Sequence, residues 1–300
     1  MKILGLSFIL VIFSALISSS QTPDPEHNYR VFDATGNPSS LAAIVRAMDG
    51  ADAIFLGEQH DDSVGHTVEF EIFKQAVAKY SDRRKVALSM EMFERDVQIV
   101  VNEYLASQIS EAQFLASSRP WGNYKTDYRP LLELAKDKKL TVIAANAPRR
   151  YVNMVSRGGR DTLNGLSKEA KSWLAPLPYG EPSDAYAKKF KDLMGPSPEA
   201  QMGIDKILAS QSLWDATMAN SVANYLKKNK RALVVHLNGG FHTESRLGTI
   251  QQLLKYRPKA KVLVVTIRYE DDFKTFDKAK HSAIGDFVIL TDAKVPRSKK

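Results

Sequence analysis

Six short, mostly apolar stretches, spaced by segments with helical periodicity, limit what this chain can fold into. They are residues 53–56 (AIFL), 86–92 (VALSMEM), 140–145 (LTVIAA), 233–237 (LVVHL), 262–267 (VLVVTI) and 287–290 (FVIL). Each is too short for a core helix and too continuously apolar for a strand with one wet face, so all six read as strands buried on both sides. Between the first two, residues 64–80 place Val68, Ile72, Phe73, Ala76, Val77 and Tyr80 on one face of a helix. Further helices are predicted over 128–138, around 249–256, and from about 198 to 228. The expected fold class is α/β: a mostly parallel sheet flanked by helices on both faces, with 287–290 as an edge strand. Residues 158–197, which include Pro176, Pro178, Pro182 and Pro196, break the rhythm between the third and fourth strands. They are expected to form a helical, Pro-rich insertion that covers the functional site or builds an interface.

Residues 1–20 combine Met1-Lys2, an apolar run of 15 residues and Ser18-Ser19-Ser20. This is the pattern of a secretory signal peptide, and the run is shorter than the ~20 residues of a spanning helix. The expected organisation is then a signal peptide (1–20), a linker and lead-in (21–50), one domain (51–292) and a basic tail (293–300). Export to the periplasm or medium follows, with no integral membrane segment after cleavage. Cysteine is absent, which removes a thiolate nucleophile, a Cys metal site and an N-terminal lipid attachment. The net charge of +8 does not predict nucleic-acid binding, because the clusters Arg83-Arg84-Lys85, 136–139 and 227–231 each close a helix just before a strand. They are expected in solvated loops at the end of the sheet away from the site.

Ligands of open parallel sheets bind beyond the carboxyl ends of the strands, and four segments place unusual polar residues there. These are Gly57-Glu58-Gln59-His60, Glu91 within Leu88-Ser89-Met90-Glu91-Met92, Asn146-Ala147-Pro148-Arg149-Arg150, and His236 followed by Gly239-Gly240-Phe241-His242. A carboxylate in an apolar strand needs a partner, and Arg149 is one candidate for Glu91. Gly-x-x-His occurs twice directly after a strand, where glycine permits close backbone approach and histidine is delivered to the sheet edge. Glu58, His60, Glu91 and His242 are candidate ligands of a divalent metal. With His236, they are equally candidates for acid–base catalysis, Arg149 stabilising developing negative charge. Taken alone, His236 reads equally well as a core histidine. Gln211 and Asp215 lie on the apolar stripe of the long helix and need partners of their own.

The ordered set of these motifs, together with Arg119-Pro120-Trp121-Gly122-Asn123-Tyr124 and Gln211-Ser212-x-Trp214-Asp215-x-x-Met218-Ala219, resembles the ChaN-like, cofactor-haem-binding family of exported, iron-regulated bacterial proteins. The resemblance spans nearly the whole chain after residue 20. It implies a protein that binds haem through a tyrosine and forms a homodimer with stacked haems at the interface. Tyr151, Tyr179 and Tyr186 are the candidate iron ligands. The same polar residues are similar, more remotely, to a superfamily containing erythromycin esterases and metal-dependent peptidases, which implies a hydrolase as the alternative.

Overall fold

The structure, a computed structural model, describes residues 27–197 and 203–299. The expected signal peptide and the first residues of the long helix lie outside the described residues. Seven strands form one sheet: β1 (Tyr29–Asp33), β2 (Ala53–Glu58), β3 (Val86–Glu94), β4 (Thr141–Asn146), β5 (Leu233–Gly239), β6 (Val262–Glu270) and β7 (Phe287–Asp292), in the order β1-β7-β6-β2-β5-β3-β4. All pairings are parallel except that of β1 with β7. The expected α/β class and its mostly parallel sheet are therefore found.

Eleven α-helices join the strands among the described residues: α1 (Leu41–Ala47), α2 (Ser63–Tyr80), α3 (Gln98–Leu105), α4 (Glu111–Ser118), α5 (Arg129–Asp137), α6 (Arg149–Gly158), α7 (Lys168–Ser172), α8 (Asp184–Met194), α9 (Ile204–Lys228), α10 (Thr249–Tyr256) and α11 (Lys278–His281). Alternate strand residues face two separate cores. Ile54, Leu56, Leu88, Met90, Val235 and Leu237 pack with Val68, Ile72 and Phe73 of α2. Ala53, Phe55, Ala87, Val234 and Val264 pack with Met218 and Val222 of α9 and Ile250 and Leu253 of α10. A sheet covered on both faces accounts for the continuously apolar strands.

Two expectations need correction: the edge position of 287–290 and the basic tail. β7 is not at the edge, because β1, in the segment expected as linker, pairs outside it. Only Val31 and Phe32 of β1 are buried, which is too short an apolar signal to read as a strand. Residues 158–197 form the expected helical insertion between the third and fourth strands, and α8 within them lines the cavity described below. Residues 293–299 are anchored rather than trailing: Arg297 stacks on the Tyr269 ring at 3.3 Å, and Ser298 Oγ donates to Asp127 at 2.9 Å. Among the described residues, no helix is long and apolar enough to cross a membrane.

The basic clusters include one residue that is not simply solvated. Arg84 donates to the carbonyls of Arg231 (2.9 Å), Ala51 (2.8 Å) and Ala232 (2.6 Å). It thereby ties together the amino ends of β2, β3 and β5, and burial lowers its pKa. Charge-assisted bonds of this kind each contribute about 1.5–3 kcal/mol, partly replaced by water at a half-buried position. Arg84→Ala is expected to lower the unfolding free energy by about 2–3 kcal/mol in urea titration, whereas Arg83→Ala shifts it by less than about 0.5 kcal/mol.

Candidate functional site

β5 inserts between β2 and β3, so the four strands that carry the polar motifs are consecutive in the sheet, with Glu58 opposite Gly239 in the β2–β5 register. Glycine is required where they meet. A Cβ on Gly57 would lie 2.9 Å from Thr243 Oγ1 and 3.0 Å from the Gly240 backbone, and one on Gly239 would lie 2.7 Å from His60 Nε2. The β3–β4 ladder is irregular between Met90 and Glu94. That break falls on Glu91, and such irregularities commonly re-aim side chains next to functional sites.

Two histidine–carboxylate pairs result. Glu58 Oε1 lies 2.7 Å from His60 Nδ1 and accepts a hydrogen bond from the Tyr128 hydroxyl at 2.6 Å. Asp215 Oδ1 lies 2.9 Å from His242 Nδ1 and accepts from Thr249 at 2.7 Å, while its Oδ2 accepts from Tyr186 at 2.5 Å. Taking Nδ1 of each ring turns Nε2 the other way, His60's against Gly239 and His242's to 3.8 Å from Glu91 Oε1. Glu91 Oε2 accepts from the Gly239 amide at 2.7 Å. Arg149 is therefore not the partner of Glu91; it is exposed on the cavity lining. Burial would push His242 down, but the Asp215 and Glu91 carboxylates outweigh it and hold the imidazole up at about 9. Burial likewise pushes Glu58 up, and His66 and His60 reverse this, holding it well below the usual carboxylate range.

Above these groups opens a cavity of about 800 Å³, lined by His60, Glu91 and His242 at its floor and by Trp121, Trp214, Phe190, Leu193 and Phe241 on its walls. Arg119 and Arg149 also line it. His60 remains 28% exposed and meets the edge of Trp121 at 4.7 Å. Phe190 and Leu193 come from α8, while Gln211, Trp214 and Asp215 come from α9. Both polar residues on the α9 stripe thus reach the site, Gln211 as lining and Asp215 as the partner of His242.

Other candidates lie elsewhere. His236 is fully buried in mid-strand, between its register neighbours Phe55 and Ser89, with Nδ1 2.8 Å from Ser89 Oγ. Burial holds it near 3, so it is a neutral core histidine. Among the described residues, none of the three tyrosines lines the cavity. Tyr151 packs against Trp173, Tyr179 donates to the Ala209 carbonyl at 2.9 Å, and Tyr186 donates to Asp215. Burial raises Tyr179 to about 12 and Tyr186 well above its ordinary value, which opposes the phenolate that iron ligation needs. The expected metal set also differs. Among the described residues, ligand atoms close to within 4.8 Å of one another at Glu58, His66 and Glu69, not at Glu58, His60, Glu91 and His242. The sequence reading passed over His66 and Glu69, although Glu69 falls on the apolar stripe of α2, where a carboxylate needs a partner.

Comparison with known proteins agrees with this architecture. No curated protein matches the sequence. ChaN of Campylobacter jejuni, which binds haem cofacially, is similar over 89% of this chain and 98% of its own, with 20% identity and a TM-score of 0.69. That similarity is one of fold. A succinoglycan biosynthesis protein covers 87% of this chain and 92% of its own (12% identity, TM-score 0.49), and an erythromycin esterase mutant covers 80% and 77% (11%, 0.46). The family profile described as haem-binding uptake, Tiki superfamily, ChaN matches residues 44–253, and the chain belongs to that family.

Proposed function

We propose that this protein binds haem in the strand-end cavity and serves haem or iron uptake or storage after export. The observation that carries the reading is the composition of the cavity wall. Haem presents a flat apolar macrocycle and two carboxylates. Trp121, Trp214, Phe190 and Phe241 offer aromatic and apolar surface to the first, and the guanidinium groups of Arg119 and Arg149 suit the second. On the floor, His60 has its Nδ1 on Glu58, the carboxylate–histidine arrangement that orients a ligating imidazole. With the three candidate tyrosines away from the cavity, His60 is the residue that would hold the iron. Leu193 and Met194, 67% and 37% exposed at the end of α8, supply an apolar rim suited to a second copy on loading.

Haemin titration tests this. The parent is expected to show a saturable Soret band and a shift toward dimer in sizing chromatography. Trp214→Ala and Arg149→Ala are each expected to weaken binding about tenfold, equivalent to about 1.4 kcal/mol, and His60→Ala to move the band. Saturable binding left unchanged by all three variants would sink the assignment of the cavity.

The two histidine–carboxylate pairs support a second reading, an acid–base hydrolase. In that reading His242, protonated at neutral pH, would donate the proton, Glu91 would act as the base, and Arg149 would stabilise developing negative charge. Ester hydrolysis by haem-free protein, abolished by Glu91→Gln, would establish it.

A further inference from the structure

The group formed by Glu58, His66 and Glu69 lies where β2 gives way to α2. All three side chains are buried, with Glu58 2%, His66 3% and Glu69 0% exposed. His66 Nδ1 stands 3.5 Å from Glu58 Oε2 and 3.2 Å from Glu69 Oε2. Two carboxylate oxygens here, Glu58 Oε2 and Glu69 Oε1, have no hydrogen-bond partner among the described residues. Buried polar atoms are almost always paired, and an unpaired carboxylate oxygen in a core is costly.

The surroundings are organised in the manner of a metal centre. The second nitrogen of His66, Nε2, faces Asp127 Oδ2 and the His60 carbonyl, each at 3.4 Å. Metal-ligating histidines usually give their outer N–H to such a carboxylate or carbonyl. Asp127 is fixed in turn by Asn123 Nδ2 at 2.6 Å, and Glu58 by the Tyr128 hydroxyl. Separations of 3.2–3.5 Å between donor atoms are what ligands about 2.0–2.2 Å from a common ion span at ordinary coordination angles. Asp127, on the outer side of His66, lines a neighbouring cavity of about 470 Å³.

We infer that Glu58, His66 and Glu69 bind a divalent transition-metal ion, at a site separate from the haem cavity but joined to it through Glu58. One imidazole and two carboxylates suit manganese, iron or zinc rather than copper(I) or other soft ions. The ion neutralises carboxylates that His66 alone does not balance. It also holds Glu58 in place beneath His60, so the metal and the cavity floor are mechanically coupled. The inference does not depend on haem binding.

Isothermal titration of chelator-treated, haem-free protein with Zn²⁺ and with Mn²⁺ tests it. One equivalent of at least one ion is expected to bind, with affinity reduced at least tenfold in Glu69→Gln and unchanged in Glu91→Gln. Anomalous diffraction from Zn²⁺-soaked parent crystals gives an answer independent of the variant's folding, with a peak expected between Glu58, His66 and Glu69. Absence of saturable binding would mean that the carboxylates share a proton instead. A peak among His60, Glu91 and His242, or loss of binding only in Glu91→Gln, would overturn the assignment in favour of the strand ends.

Discussion

Glu58→Ala is expected to lower the free energy of unfolding by about 3–5 kcal/mol at pH 7, the cost of removing one partner from a buried charged group. Glu58 is buried and bonds both His60 and Tyr128. Against the opposing effect of burial, its charge is also the largest attraction raising His66. Without it, the Tyr128 hydroxyl loses its acceptor inside the core, and in metal-free protein the His66 imidazolium keeps Glu69, Asp127 and the His60 carbonyl as neighbours. Glu58→Gln preserves an acceptor for Tyr128 and should recover part of the loss. Urea unfolding of the parent and both variants measures the effect. A deficit below about 1 kcal/mol in Glu58→Ala would show that neighbouring groups or water replace the carboxylate.

The second large effect depends on pH. His242 titrates near 6.5 unfolded and is held at about 9 in the fold. A raised pKa means that the folded state binds the proton more tightly, so this stabilisation is fully present below pH 6.5. It is lost as pH rises through 9, and amounts to roughly 3 kcal/mol. Because His66 is also raised, the parent alone reports both groups. The gap between parent and His242→Gln isolates one of them, and should shrink by roughly 3 kcal/mol between pH 6 and pH 9.5. A gap that does not change with pH would mean that His242 is neutral in the fold and available as a base. Asp215→Asn, which keeps the shape but removes the charge, is expected to lower the titration midpoint of His242 as followed by NMR.

Much of the fold was legible because its signals are local. A strand covered on both faces is apolar at every position, and a helix repeats its apolar face every three to four residues. Stretches as short as 53–56 therefore announced the sheet. The Gly-x-x-His pairs were legible for a similar reason, since a glycine–histidine spacing after a strand is visible without knowing its neighbours. β1 was missed because two buried residues carry little periodic signal. The basic clusters looked uniform because nothing local marks Arg84 as the one facing three carbonyls.

Taken by itself, the sequence determined the fold class, the membership suggested by the ordered motifs, and the strand ends as the place where Glu58, His60, Glu91 and His242 gather. The tertiary structure decided which of these groups meet. Insertion of β5 between β2 and β3 brought His60, Glu91 and His242 to one floor, and the crossing of α9 supplied Asp215. The same packing sealed His236 between Phe55 and Ser89, turned Tyr186 into a prop for Asp215, and joined His66 and Glu69 to Glu58. Local pattern tells which residues are buried. Which buried groups face one another depends on strand order and helix crossing, set by contacts between residues far apart in the chain.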